Sequence, residues 1–196
     1  MNILYVHGYN GDPYGESYNH LKNAATVHNH IMHTIDYDPA KPVEAITAIR
    51  NYIRENKIDV VIGASLGGFL TMNLFGVPRI VVNPCWDPAY ELPIVGYTGP
   101  TDIYNTLLDR LKENLDFEES QLCFGVFDEE DELLGTKYIS EFNKYFQMHY
   151  MINAGGHKIY KDTANILFEV VMPDHLYGVN RFANDLKYVD NAPWLD

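Results

Sequence analysis

The stretch "DVVIGASLGGFL", residues 59–70, decides how the chain is read. Asp59 to Gly63 is a short β-branched run that ends on a glycine, and the apolar run from Leu66 carries two more glycines at Gly67 and Gly68. Small residues on both sides of Ser65 suit a tight strand-to-helix turn that pushes a hydroxyl out of the backbone path, the geometry of a nucleophile elbow. They equally suit an ordinary turn, so the rest of the chain has to supply the partners that would separate the two readings.

Working outward, short apolar runs alternate with helical patterns. Strands are expected over Asn2 to Val6, Ile31 to Ile35, Asp59 to Gly63, Arg79 to Asn83, Gln121 to Phe127 and His149 to Asn153. Their continuous apolar character, without polar alternation, is that of parallel strands buried on both faces. Helices are expected at about Glu16 to Ala25, Val43 to Asn56, Leu66 to Phe75, Thr101 to Asn114, Thr136 to Phe146 and Thr163 to Val171. Ile46, Ile49 and Ile53 follow the 3, 4 spacing of an amphipathic stripe, and Pro42 suits a first helical turn. This alternation implies an α/β fold, a three-layer sandwich around a mainly parallel, doubly wound sheet of about six strands. Pro84, Pro88, Pro93 and Pro100 crowd the segment between the fourth strand and the next helix. That segment, about residues 84–105, is expected to be an irregular, lid-like insertion. Residues 1–172 read as one domain and 173–196 as a C-terminal extension without periodicity.

Composition narrows the function classes. The 196 residues carry a net charge of −13, with 14 basic against 27 acidic side chains. Nucleic acids and anionic membranes are poor partners for such a chain, since both are bound by neutralising phosphates with Lys and Arg. A small neutral or cationic ligand fits better. No apolar run approaches the roughly 20 residues of a membrane span, and the chain is expected to be cytoplasmic. Cys85 and Cys123 sit near apolar strands and read as buried small hydrophobes.

In open α/β sheets, ligands bind beyond the carboxyl ends of the strands. Candidate residues fall there repeatedly. Ser65 follows the third strand. A serine nucleophile needs a base and the base needs a carboxylate. His157, in "MINAGGH", follows the last strand on a Gly155-Gly156 turn. "FGVFDEEDELLG" places Asp128 and Asp131 after the preceding strand. Asp131 precedes Glu132, Leu133 and Leu134 and is favoured, while Asp128 stands nearer the strand end and remains the alternative. The order Ser, Asp, His is the one that α/β-hydrolases use. Backbone donors for an oxyanion are expected at Leu66, next to the serine, and at Tyr9 in the loop "YVHGYNGDP". His7 in that loop reads as structural.

The chain resembles the α/β-hydrolase superfamily and, within it, the small YqiA-like esterases. Four stretches in order carry the resemblance: "ILYVHGYNGDP", "VIGASLGGFLTMNL", "VVNPCWDPAYEL" and "DELLGTKYISEF…NAGGHKIY". The Asn83-Pro84-x-x-x-Pro88 element is the one a generic hydrolase does not require. The resemblance implies Ser65 as nucleophile, His157 as base, an Asp of "DEEDELL" as its partner, and hydrolysis of small acyl esters or thioesters without a cofactor. It leaves the acid unresolved and has no counterpart for the tail after about residue 172.

Three other readings compete. "VHNHIMH" sets His28, His30 and His33 in a spacing that resembles a metallohydrolase ligand motif and would suit Zn²⁺. Met32 stands where that motif has an aspartate, and alternation turns His30 and His33 to opposite faces. Gly8, Gly11 and Gly15 follow a strand as in a phosphate loop, yet the stretch ends Gly15-Glu16-Ser17 instead of Gly-Lys-Ser. A non-catalytic binding module on the same fold is the rival from another class. Trp86, Tyr90, Tyr97 and Tyr104 could line an acyl pocket or serve as core.

Overall fold

A computed structural model describes residues 1–146 and 148–179. Six strands form one sheet: β1 (Asn2–Val6), β2 (Ile31–Ile35), β3 (Val60–Ala64), β4 (Arg79–Val82), β5 (Cys123–Asp128) and β6 (His149–Ile152). Their order is β2-β1-β3-β4-β5-β6 and all five pairings are parallel. β1 and β2 have the bounds read from the sequence, and the others shift by one or two residues.

Alternation along each strand divides the core in two. Leu4, Val6, Val61, Val81 and Phe127 point to one face, against α2 (Pro42–Asn56), α3 (Leu66–Met72), α5 (Asp102–Asn114) and α7 (Ile139–Tyr145). Ile3, Tyr5, Ile62, Val82 and Val126 point to the other. There they meet α1 (Glu16–Val27), α8 (Lys161–Ile166) and a π-helical stretch, Leu167–Val171. The sandwich expected from the strand–helix alternation is therefore the observed one.

Residues 84–105, expected to be irregular, include α4 (Pro88–Ile94); the helix expected at Thr101 to Asn114 follows as α5, and α6 (Phe117–Gln121) comes after it. Asp87 caps α4 by accepting from the Tyr90 amide at 3.2 Å, and Pro88 occupies the first turn, where its missing N–H costs nothing. The proline density that reads as a loop thus includes a helix start. α6 brings Glu119 to the fully buried Arg79 at 3.0 Å, at the end of β4 where the strand begins. After the π-helical stretch, α9 (Met172–Val179) carries His175, which is buried against Phe124 with ring centroids 5.3 Å apart. The sequence reading closes the domain at residue 172; from residue 180 on, the extension lies outside the described residues. Among the described residues no helix is long and apolar enough to cross a membrane.

A close backbone-to-backbone approach lies where α3 meets β1. A Cβ on Gly67 would come within 2.2 Å of the Val6 carbonyl oxygen and 2.3 Å of that of His7. Both obstacles are backbone, which cannot swing aside. Gly67→Ala is expected to destabilise the protein by about 3 kcal/mol, the upper end of overpacking penalties, measured from urea unfolding midpoints at constant slope.

Candidate active site

Ser65 follows β3 directly, at φ 53° and ψ −119°. An L-residue rarely adopts this conformation, and holding it costs on the order of 1–3 kcal/mol. Its backbone is fixed on both sides: the Ser65 amide donates to the Val82 carbonyl at 3.1 Å, and the Ser65 carbonyl accepts from Cys85 at 3.0 Å and from Phe69 at 3.2 Å. The turn is therefore a strained one, at the position where the glycine pattern suits either a nucleophile elbow or an ordinary turn. Leu66 is the first residue of α3, a position whose amide has no acceptor within the helix.

β6 ends at Ile152 and the chain turns back through Gly155 and Gly156, both at φ +114°. That double turn sets His157 over the end of the sheet. Its Nδ1 lies 3.0 and 2.9 Å from the two oxygens of Asp131, and both residues are buried. Asp131 Oδ1 also accepts from the amides of Leu133 and Leu134, at 2.8 and 2.9 Å. Burial would push this carboxyl up. The hydrogen bond from His157 and the two amides outweigh burial, and the group is held below its ordinary range. An ionised carboxylate at Nδ1 fixes the imidazole with its proton on that nitrogen and leaves Nε2 free to accept.

Asp128, the alternative acid, has other work. It is fully buried, and its oxygens accept from the amides of Glu130 at 2.9 Å and Ala154 at 3.1 Å, tying the end of β5 to the turn after β6. The structure brings Asp131 to His157 and gives Asp128 this backbone role. The stretch after Asp131 forms turns, and α7 begins only at Ile139, so the acid caps a turn and not the helix entry that the sequence suggests.

One contributor had no role in the sequence reading. Asn83 follows β4 directly at φ 44°, and its side chain is almost wholly buried. Its Oδ1 accepts from the Asp128 amide at 2.7 Å, while Nδ2 donates to the carbonyls of Gly156 at 3.1 Å and His157 at 3.2 Å. A single carboxamide joins the ends of β4 and β5 to the turn that carries His157. The Asn83-Pro84 element was visible in the sequence; its partners, more than 40 residues away, were not.

Ser65, Leu66, Tyr9 and His157 line one cavity of about 630 Å³ at the carboxyl end of the sheet. The loop bearing Tyr9 is held by its neighbours: Gly11 donates to the Gly8 carbonyl at 3.0 Å, and His7 Nδ1 reaches the same oxygen at 2.8 Å. The His7 ring stacks on Tyr37 at 4.6 Å, so its role is to hold the loop. The apolar wall comes from Leu92 and Ile94 of α4, from Val95 just after it, and from Leu133 and Leu134. Trp86, Tyr90, Tyr97 and Tyr104 do not line it. Trp86 and Tyr104 are buried in the core under α4, and Tyr97 packs on Tyr9.

The histidine cluster is not assembled. His28 and His30 each lie 6.0 Å from the Phe168 ring, whereas His33 bonds the Tyr52 hydroxyl of α2 at 3.2 Å. Among the described residues no group of three or more His, Cys, Asp or Glu stands close enough to hold a metal ion. Cys85 and Cys123 are both free and buried, which pushes the Cys123 thiol up to about 12.

Removing the Asn83 carboxamide leaves the buried Asp128 amide and two carbonyls without partners. Asn83→Ala is expected to lower stability by about 2–4 kcal/mol, read from chemical denaturation. Asp131 has a depressed folded pKa. Its contribution to stability is therefore complete above the unfolded value of about 3.9 and is lost as pH falls through the lower folded value. The stability gap between the wild type and Asp131→Ala should be full at neutral pH and close in strong acid.

Comparison with solved structures shows the α/β-hydrolase fold. The esterase domain of a Rhodothermus marinus protein matches with a TM-score of 0.65 at 15 % identity, over 87 % of this chain and 83 % of its own. Est1E from Butyrivibrio proteoclasticus gives 0.67 at 14 % identity, over 91 % and 88 %. MGS-MChE2, an α/β hydrolase enzyme from the metagenome of lagoon sediments at Mar Chica, Morocco, gives 0.56 at 10 % identity, over 94 % and 91 %. The model of the uncharacterised protein family UPF0227 matches residues 2–171. With that match over most of its length, the chain belongs to UPF0227.

Proposed function

We propose that the protein is a serine hydrolase of the carboxylesterase or thioesterase type, cleaving small acyl esters through an acyl-enzyme on Ser65. The observation that carries this reading is the buried His157–Asp131 pair facing the same cavity as a strained serine, each residue placed by a different strand end. An esterase domain among the structural neighbours is in keeping with it.

The chemistry follows from the geometry. Ser65 Oγ attacks the acyl carbon as His157 Nε2 takes its proton, and Asp131 stabilises the imidazolium through Nδ1–H. The amides of Leu66 and Tyr9 receive the oxyanion, a contribution of the kind whose loss typically costs about 100- to 1000-fold in rate. Collapse of the tetrahedral intermediate breaks the acyl C–O or C–S bond, and His157 returns the proton to the departing oxygen or sulfur. Water then attacks the acyl-enzyme, giving up its proton to His157, and the acid leaves as Ser65 is reprotonated. No cofactor takes part.

With p-nitrophenyl butyrate, Ser65→Ala and His157→Ala should each lower kcat by at least about 10⁴-fold with the fold intact by circular dichroism. Asp131→Asn should cost on the order of 10³- to 10⁴-fold. EDTA should have no effect. Unchanged turnover in Ser65→Ala would contradict the proposal, and a folded wild type that hydrolyses no ester of any chain length would favour a binding module.

A further inference from the structure

The cavity has two chemically distinct walls, and the sheet divides them. On the α4 side stand Leu92, Ile94, Val95, Leu133 and Leu134. Leu92 belongs to the core under α3 and α5, and Leu134 packs against that core. The carboxylates on this side are already engaged: Glu91 accepts from Lys137 and Tyr138, and Glu132 accepts from the His157 amide at 3.0 Å. This half therefore offers an incoming group mostly hydrocarbon.

Across the sheet edge, the lining comes from Tyr5, the loop between β1 and α1, and Lys158. Tyr5 belongs to the opposite core, with α1. Here Asn10, Asp12, Glu16, Ser17 and Lys158 present an amide, two carboxylates, a hydroxyl and an ammonium; Asp12 Oδ1 accepts from the Tyr14 amide at 2.8 Å and Glu16 Oε1 lies 3.7 Å from His20 Nε2, which leaves each carboxylate a second oxygen. Burial pushes the Tyr5 phenol up to about 12 with the Ser17 hydroxyl beside it, so the phenol keeps its proton and serves as donor or acceptor. Ser65 and His157 lie on the same cavity as both walls.

An ester has two halves and this cavity has two walls. Burying methylenes against the leucine side removes apolar surface from water and is favourable. Laying the same methylenes against the opposite wall would strip water from Asp12, Glu16 and Lys158 without replacing its hydrogen bonds. A hydroxyl-bearing group replaces those bonds. The two carboxylates outnumber the one ammonium, which disfavours an anionic group on that side.

Resting on the serine-hydrolase reading, we propose that the α4 wall holds the acyl chain and the β1–α1 wall holds the leaving alcohol. The substrate is then an aliphatic ester of a neutral, hydroxyl-rich alcohol of the glycerol or sugar class. The alcohol leaves from the polar side with the proton returned by His157, while the acyl group stays on Ser65 against the leucines.

The test holds the acyl group constant. Initial rates of butyrate release are measured with glycerol monobutyrate, n-butyl butyrate and an anionic butyrate ester, butyryl lactate, using the wild type. The proposal expects kcat/KM for the glycerol ester to exceed that for the n-butyl ester by at least 10-fold, with butyryl lactate the poorest. The double variant Glu16→Leu, Ser17→Val should bring the glycerol and n-butyl values within about threefold of each other. Leu133→Ser should instead reduce the preference for hexanoate over acetate and leave the alcohol ratio in place. Equal rates for the glycerol and n-butyl esters, or a ratio unmoved in the double variant, would overturn the assignment of the walls. Since Ser65→Ala abolishes turnover of all three esters under the serine-hydrolase reading, turnover surviving in that variant would overturn both together, whereas failure of the ratio alone overturns only the subsite.

Discussion

Gly67 rests so closely on the carbonyls of Val6 and His7 that no side chain fits between them, and the candidate site depends on this contact. It sets the first turn of α3 against the end of β1, so that Leu66 and the loop that carries Tyr9 line one cavity. It also fixes where the chain must turn between β3 and α3, leaving Ser65 to absorb the mismatch at a positive φ. Three backbone hydrogen bonds from Val82, Cys85 and Phe69 hold that residue in place. The strain is local, and the parallel sheet on one side and a buried helix on the other support it.

The second half of the site is held differently. His157 sits on a Gly-Gly turn with little stiffness of its own, so the surrounding polar network supplies the order. Asn83 bonds the carbonyls of Gly156 and His157, Asp128 bonds the Ala154 amide, Glu132 bonds the His157 amide, and Asp131 bonds the ring. All four supporting residues leave the neighbouring strands β4 and β5. Three acids within four positions of the end of β5 thus divide the labour: Asp128 and Glu132 accept from backbone amides, and Asp131 meets the imidazole. A buried network of this kind is rigid when fully satisfied and costly when one member is lost.

Much of this was legible in the sequence because it rests on local chemistry. The β-branched runs place β1 and β2 to the residue, the glycines around Ser65 announce the elbow, and the order of Ser65, Asp131 and His157 follows strand ends that periodicity can find. What escaped rests on contacts between distant residues. Asp128 and Asp131 are the same residue type in one acidic run, and only the folded positions of Ala154 and His157 tell them apart. Asn83 looked like a strand end because its partners lie 45, 73 and 74 residues away. α4 was concealed by proline density, although Asp87-Pro88 is a cap and first turn in its own right. Trp86 and Tyr104 could have lined a pocket or a core, and burial under α4 decides for the core.

The central claim is that Ser65 is a nucleophile activated by His157. The most direct measurement is peptide mapping by mass spectrometry after brief exposure of the folded protein to a fluorophosphonate. The account expects one stoichiometric adduct, on the peptide containing Ser65, formed far more slowly when His157 is replaced by alanine. A folded protein that stays unlabelled, or an adduct on another residue, would contradict it.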